Sequence, residues 1–142
     1  MEIVIETLHH VSIAVTDLER AKRFYGGVLG LEELDRPRFD FPGAWYALGD
    51  RQLHLIVHTA PRTLRGTTAV DSRDGHFAVR VRDYARTLTR LRAHGVPLKE
   101  NPVNATPWAQ IHATDPDGNV IELNVERAEG RSPSIAGEED PD

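Results

Sequence analysis

Cysteine is absent from the 142 residues of the sequence. A disulfide framework, a thiolate nucleophile and a cysteine-ligated zinc or iron–sulfur site are therefore excluded. Any metal ion that the chain holds must be bound by carboxylates and by the seven histidines.

Basic residues are in the minority, with 17 Lys and Arg against 22 Asp and Glu and a net charge of −5. Since no basic run is long enough to follow a nucleic acid, we expect no nucleic-acid partner. Long apolar runs are also missing, because none approaches the roughly 18 residues needed to cross a bilayer. The N-terminus, MEIVIETLHH, lacks the basic start and apolar middle of a signal peptide. We expect no membrane partner and a cytoplasmic location.

The chain does contain an internal repeat. The segment that starts at His10, HVSIAVTD, aligns with the segment that starts at His76, HFAVRVRD, at an offset of 66 residues. The histidine, the alternating apolar positions and the closing aspartate recur in both. Alternation is the period of a strand, and it changes to helical spacing directly after each aspartate. Each half is therefore predicted to begin with a strand that leads into a helix.

Both predicted helices have signals at their ends. Thr16-Asp17-Leu18-Glu19 fits a capping box for the first helix, and Asp83 can cap the second. Glycines at 30 and 95 favour a left-handed stop after each helix. The buried faces are expected to contain Leu18, Ala21, Tyr25 and Val28 or Leu29 in the first helix, and Tyr84, Leu88 and Leu91 in the second.

Each half also closes on a strand, since residues 52–57 (QLHLIV) align with residues 120–125 (VIELNV) at an offset of 68. A turn precedes each closing strand, and further strand-like runs complete a β-α-β-β-β order twice. We predict one domain over residues 1–126. Its parts are a first module at 7–58, a linker at 59–75 and a second module at 76–126, and an acidic tail at 127–142 is expected to be disordered.

Four ionisable residues occupy equivalent places in the repeat. His10 and His76 begin the first strand of their modules, whereas His54 and Glu122 lie at the same place in the last strand. Strand parity puts them on the face opposite the apolar residues that cover the helix, and a pseudo-twofold relation brings such positions toward one axis. Three imidazoles and one carboxylate suit a borderline divalent cation, so we predict these four as metal ligands. Zinc is favoured, and iron, nickel or manganese fit the same donors.

Two further residues are candidates for chemistry beside the ion. His112 lies on the strand before the Asp115-Pro116-Asp117-Gly118-Asn119 turn and is predicted to face the cavity as a hydrogen-bond donor or an acid. Arg80 shares the strand parity of His76 and is a candidate for binding an anionic substrate group. The other histidines, His9, His58 and His94, are interpreted as structural or solvated. Segments 36–43, 59–75 and 101–108, which are expected to select the substrate, carry no interpretable motif.

Three further segments stand out, HVSIAVTDLERA from His10, Phe24-Tyr25 with Leu29-Gly30-Leu31, and DPDGNVIEL from Asp115. Together they resemble the vicinal-oxygen-chelate superfamily, which includes glyoxalases, bleomycin-resistance proteins and extradiol dioxygenases. The resemblance implies an α+β fold in which paired βαβββ modules form an open, funnel-like mixed sheet around a metal, with helices on the outer face. It also implies ligands at His10, His54, His76 and Glu122, a small-molecule substrate and a homodimer.

Within that superfamily we expect a divalent-metal-dependent enzyme that acts on a small substrate through metal-bound oxygens, with lyase or isomerase proton transfer as the first choice. Glu122 is then the natural base, and His54 is a second base or only a ligand. His54 stands where lactoylglutathione lyases carry an acid, which departs from a true glyoxalase. Fosfomycin-modifying thiol transferases also resemble the chain, but their potassium-loop and phosphonate-binding residues have no counterparts around residues 99–106.

Two alternatives stay open. One is an Fe(II) extradiol-type dioxygenase that uses His10, His76 and Glu122. The other is a metal-free small-molecule-binding protein of the bleomycin-resistance kind.

Overall fold

The computed structural model of the chain describes residues 1–127. Two compact units divide it, Met1–Arg62 and a second unit that begins at Thr63. The boundary falls inside the linker predicted from the sequence. The predicted tail, apart from Arg127, lies outside the described residues.

The predicted β-α-β-β-β order is found in each unit. The first unit contains β1 (His10–Val15), α1 (Leu18–Lys22), a π-helical turn (Arg23–Val28), β2 (Glu33–Leu34), β3 (Gly43–Leu48) and β4 (Arg51–Val57). The second contains β5 (His76–Arg80), α2 (Tyr84–Ala93), β6 (Leu98–Asn101), β7 (Trp108–Thr114) and β8 (Val120–Glu126). No helix among residues 1–127 is long and apolar enough to span a membrane.

Each unit has one four-stranded mixed sheet, in the order β1-β4-β3-β2 and β5-β8-β7-β6. The first and last strands of a module run parallel, and the other neighbours are antiparallel. Ser12 lies opposite His54, and Ala78 lies opposite Glu122. His10 therefore lies two residues before the residue that faces His54. His76 likewise lies two residues before the residue that faces Glu122. The α+β class and the paired modules are confirmed.

Both helices are capped by aspartate. Asp17 Oδ1 accepts a hydrogen bond from Arg20 N at 3.0 Å, and Asp83 Oδ1 accepts one from Arg86 N at 2.9 Å. The capping box that we predicted with Thr16 as the cap is wrong, because Asp17 is the extended residue before the first helical position. The second cap and the left-handed glycines Gly30 and Gly95, with φ of 72° and 65°, are as expected.

The first helix departs from regular spacing. After five α-helical residues it widens into the π-helical turn, in which Leu29 N donates to Phe24 O at 2.9 Å. A wider turn changes which side chains face inward, so Phe24 and Tyr25 are both buried, whereas Leu18 is only half-buried. The buried face predicted from a 3.6-residue period therefore holds for Ala21 and Tyr25 but misses Phe24.

Apolar residues on alternate strand positions form the core of each unit. The fully buried side chains include Tyr25, Tyr46, Leu53 and Leu55 in the first unit, and Leu88, Leu91, Ile111 and Ile121 in the second. All three side chains predicted to be buried on α2 are buried. Because the core takes one face of each sheet, residues of the opposite parity are left for the other face.

Part of the predicted linker packs against the second module. Arg65 Nη1 donates to the carbonyl of Gly118 at 2.8 Å, and Thr114 Oγ1 donates to the carbonyl of Thr68 at 2.7 Å. At the other end of the module, Arg127 N donates to Pro107 O at 2.9 Å, so this residue contacts the second module. Residues on both sides of the predicted range 76–126 therefore contact the second module.

The buried Tyr46 hydroxyl leads us to expect a loss of stability at high pH. Burial, reinforced by the negative charges of Glu33 and Glu19, raises the pKa of Tyr46 from its usual 10.0 to about 12. The folded state keeps this proton where the unfolded chain releases it, so the free energy of unfolding should fall by about 1.5 kcal/mol between about pH 10 and about pH 11.5. Urea unfolding across this range measures the loss. Tyr46→Phe should remove that part of the pH dependence, and an unchanged dependence would contradict the assignment.

Candidate metal centre

Three strands of the second unit bring His76, His112 and Glu122 together. His112 on β7 lies directly opposite Glu122 on β8, and His76 begins the neighbouring strand β5. Glu122 Oε1 is 3.3 Å from His112 Nε2 and 3.7 Å from His76 Nε2. Each side chain offers one atom that could bind a metal, and these three atoms all lie within 4.8 Å of one another.

These separations fit a shared cation. Two nitrogen or oxygen ligands about 2.1 Å from one ion in tetrahedral geometry lie about 3.4 Å apart. The two measured distances to Glu122 Oε1 are 3.3 and 3.7 Å, so little movement is needed to place an ion between the donors. Two imidazoles and a carboxylate are also the donor types that a cysteine-free chain offers to zinc, iron, nickel or manganese.

Burial differs across the cluster. The side chains of His112 and Glu122 are only 5% and 8% exposed, whereas that of His76 is 26% exposed. Burial is the main cause that lowers the pKa of His112, and the nearby Glu122 carboxylate offsets part of this effect. His112 is therefore a neutral imidazole near pH 7, able to offer a lone pair or to accept a proton.

The tautomer of His76 is fixed by its backbone neighbour. His76 Nδ1 lies 2.8 Å from the carbonyl oxygen of Asp74. A carbonyl only accepts, so His76 Nδ1 must carry the proton and donate it. In the neutral ring, Nε2 then holds the lone pair, and Nε2 is the atom that faces Glu122.

The two oxygens of Glu122 have different environments. Oε2 accepts a hydrogen bond of 2.6 Å from Asn124 Nδ2, whereas Oε1 faces the imidazoles and also lies 3.3 Å from Gln110 Nε2. Asn124 and Gln110 are contacts that the sequence analysis missed. Strand parity could have indicated both, since each lies two residues from a predicted site residue on the same face of its strand.

Arg80 is connected to Glu122 through Asn124, which hydrogen-bonds to both side chains. Its Nε donates to Asn124 Oδ1 at 2.6 Å, and its Nη1 lies 3.6 Å from Glu126 Oε2. The Arg80 side chain is 50% exposed, so part of the guanidinium is open to solvent. Its predicted role in binding an anionic substrate group stays a prediction.

In the first unit, His10 and His54 lie side by side. The His54 ring is stacked between Trp45, at a centroid distance of 4.2 Å, and His10, at 4.1 Å. His54 Nε2 donates to Gln52 Oε1 at 2.8 Å, which leaves its Nδ1 with the lone pair. Burial, followed by the neighbouring His10, lowers the pKa of His54. His9 Nδ1 lies 2.8 Å from His10 Nδ1, a contact that parity alone did not predict.

A comparison of the paired strands in the two units explains the position of His112 beside Glu122. Trp45 lies opposite His54 on β3, as His112 lies opposite Glu122 on β7. An indole therefore occupies in the first unit the place that an imidazole occupies in the second. The alignment of these two strands, at an offset of 67 residues, is the signal that could have placed His112 next to Glu122 from the sequence.

Known proteins with related sequences include two glyoxalase-type proteins. A lactoylglutathione lyase of Salmonella typhimurium is 29% identical over 134 residues, which is 87% of this chain and 96% of that protein. Glyoxylase I 4 of Arabidopsis thaliana is 27% identical over 123 residues, which is 82% of this chain and 69% of that protein. Some plant relatives are longer, and the chain spans 42% of the lactoylglutathione lyase GLX1 of Arabidopsis thaliana.

Solved structures share the fold. A glyoxalase family protein from Bacillus anthracis has a TM-score of 0.74 at 24% identity, covering 89% of this chain and 100% of that one. The fosfomycin resistance protein FosX from Listeria monocytogenes has a TM-score of 0.68 at 19% identity, covering 89% and 98%. The sequence profile of one family matches residues 7–123, which is most of the chain. The chain belongs to the Glyoxalase/Bleomycin resistance protein/Dioxygenase superfamily.

Proposed function

We propose that the protein is a divalent-metal-dependent enzyme that transfers a proton on a small substrate with adjacent oxygens, as lyases and isomerases do. The observation that carries the proposal is the position of Glu122 Oε1 within 3.7 Å of two imidazole nitrogens. The relatives named lactoylglutathione lyase support the same class of reaction. Zinc is the favoured ion for these donors, with iron, nickel and manganese as alternatives.

Each residue of the cluster has a role in this proposal. When bound, the ion polarises the substrate oxygens and makes the adjacent C–H more acidic. His76 and Glu122 would hold the ion, and a substrate oxygen that displaces Glu122 Oε1 would leave this oxygen free to act as the base that removes the proton. His112, which is neutral and 3.3 Å from Glu122 Oε1, exchanges this proton with Glu122 and returns it to the substrate. The fixed Glu122 Oε2 keeps the other oxygen pointing at the imidazoles.

Solvent-hydrogen exchange tests the reaction class. The zinc-loaded protein should incorporate deuterium from D₂O into one member of a panel of 2-oxoaldehyde–thiol adducts and epimerisable acyl thioesters, without oxygen uptake. His112→Gln should keep the metal content and slow exchange by about 100-fold, within the range that positioned acids and bases contribute. His94→Gln is the control, because His94 is an exposed histidine at the end of α2. Loss of zinc from His112→Gln would instead make His112 a ligand.

A second candidate function follows from the composition of the cluster. Two histidines and one carboxylate are the ligand set of non-haem Fe(II) oxygenases. The proximity of His76, His112 and Glu122 supports this candidate. Fe(II)-dependent oxygen uptake with a catechol would favour this ring-cleaving function over proton transfer. Saturable binding of a catechol with no turnover would instead favour the metal-free binding protein.

Several sequence-based assignments stay predictions. His10 and His54 as further ligands of the ion are tested by the metal content of His10→Ala and His54→Ala. A homodimer is tested by light scattering of the intact chain. The cytoplasmic location stays a prediction as well.

A further inference from the structure

One arginine holds the segment that precedes His76. Arg65 donates from three nitrogens, Nε to Asp74 Oδ2 at 2.6 Å, Nη1 to Gly118 O at 2.8 Å and Nη2 to Ala69 O at 2.8 Å. Its side chain is only 15% exposed. The planar guanidinium offers five N–H groups in a fixed fork, a geometry that no other side chain reproduces. Arg65 thus connects three points of the second unit at once.

Asp74 links this arginine to the candidate metal centre. Its carboxylate accepts from Arg65, and its backbone carbonyl accepts from His76 Nδ1 at 2.8 Å. Because Arg65 holds the Asp74 carboxylate, the backbone of Asp74 has little freedom to rotate and turn its carbonyl away from His76. Asp74 is therefore hydrogen-bonded to both the Arg65 guanidinium and the His76 imidazole.

The consequence for His76 is a choice of tautomer. Which ring nitrogen of a histidine binds a metal is set by the hydrogen bond that the other nitrogen makes. If the Asp74 carbonyl turned away, His76 Nδ1 would lose its acceptor and the proton could move to Nε2. A proton on Nε2 occupies the lone pair that faces Glu122, and the ring could no longer bind an ion there in that form.

We propose that Arg65 is a positioning residue for the metal centre, which holds Asp74 so that its carbonyl keeps the proton of His76 on Nδ1 and leaves Nε2 to bind the ion. This inference rests on the proposed function. It assigns a role to a residue in the segment that the sequence predicts to be a linker.

The test compares Arg65→Gln with Arg73→Gln in the full chain. Arg73 is a suitable control because it is an exposed arginine of the same segment, and its hydrogen bond to Asp71 is made by the backbone N–H. Calorimetric titration with zinc should show Arg65→Gln binding about 10-fold more weakly, at the lower end of the effect typical of residues that orient ligands. Arg73→Gln should bind as the wild type does.

A second readout needs no metal. The ¹⁵N shifts of the His76 ring in the metal-free protein should show a proton on Nδ1 in the wild type and a mixture of tautomers in Arg65→Gln. Asp74→Ala provides a second variant, since it removes the carboxylate but keeps the backbone carbonyl, and it should shift both readouts in the same direction. It carries the test if Arg65→Gln does not fold.

The outcomes separate the two proposals. Wild-type zinc affinity together with a wild-type tautomer in the folded variants would overturn the role of Arg65. If the wild-type protein binds no zinc, iron, nickel or manganese, the proposed function fails, and the ¹⁵N comparison still decides whether Arg65 sets the tautomer.

Discussion

Glu122→Gln is expected to weaken zinc binding by more than about 100-fold, beyond the loss typical of residues that only orient a ligand. The substitution keeps the size of the side chain but replaces an anionic oxygen by a neutral amide. Glu122 Oε1 is the atom shared by both imidazoles, at 3.3 and 3.7 Å, so its charge is central to the cluster. Calorimetric titration and elemental analysis of the purified protein measure the effect.

Glu126→Gln is the matched control. It makes the same chemical change on the same strand, β8, at a side chain that is 73% exposed and pairs only loosely with Arg80 at 3.6 Å. It should leave zinc affinity unchanged. Equal losses in both variants would mean that the net charge of the strand, and not a ligand at Glu122, governs binding. Full affinity in Glu122→Gln would remove this residue from the ligand set.

Gly118→Ala is expected to destabilise the fold by about 3 kcal/mol or more, the sum of a strained backbone and a steric clash. Gly118 has a φ of 88°, and a Cβ at this position would overlap the carbonyl oxygen of Thr67 and lie 3.0 Å from its carbonyl carbon. Both obstacles are backbone atoms, so no side-chain rotation can relieve them. The free energy of unfolding in urea gives the magnitude.

Gly49→Ala separates strain from clash. Gly49 also has a positive φ, of 57°, in the corresponding turn of the first unit, but an added Cβ meets nothing within 4 Å. It should cost only about 1 kcal/mol, the price of a left-handed backbone alone. Similar losses at both positions would show that Thr67 moves away from residue 118 without penalty.

The fold was predictable because its signals are periodic. Alternating apolar residues, the cap at Asp83 and the repeat itself predict the order of the strands and helices along the chain in each unit. The π-helical turn was not predictable in this way, because it inserts an irregular step that a 3.6-residue period does not contain. Phe24, buried by that step, shows the effect.

The site was predictable only in part. Parity placed Glu122 and His76 on one face, and the structure brings them to 3.7 Å. Contacts that depend on irregular segments leave no pattern in the sequence. Arg65 and Gly118 are 53 residues apart, and nothing in the residues between them indicates that they meet. The hydrogen bonds that connect Arg65 to His76 through Asp74 could therefore be identified only from the structure.

The stack of Trp45 on His54 gives the first unit an optical reporter of its own. The two rings are nearly parallel, at an interplanar angle of 6°, so a positive charge that arrives on the imidazole meets the face of the indole. Such a charge quenches indole fluorescence. The chain has only two tryptophans, and Trp108→Phe leaves Trp45 as the single emitter. The fluorescence of Trp45 should then report a positive charge on the His54 imidazole, whatever reaction the protein performs.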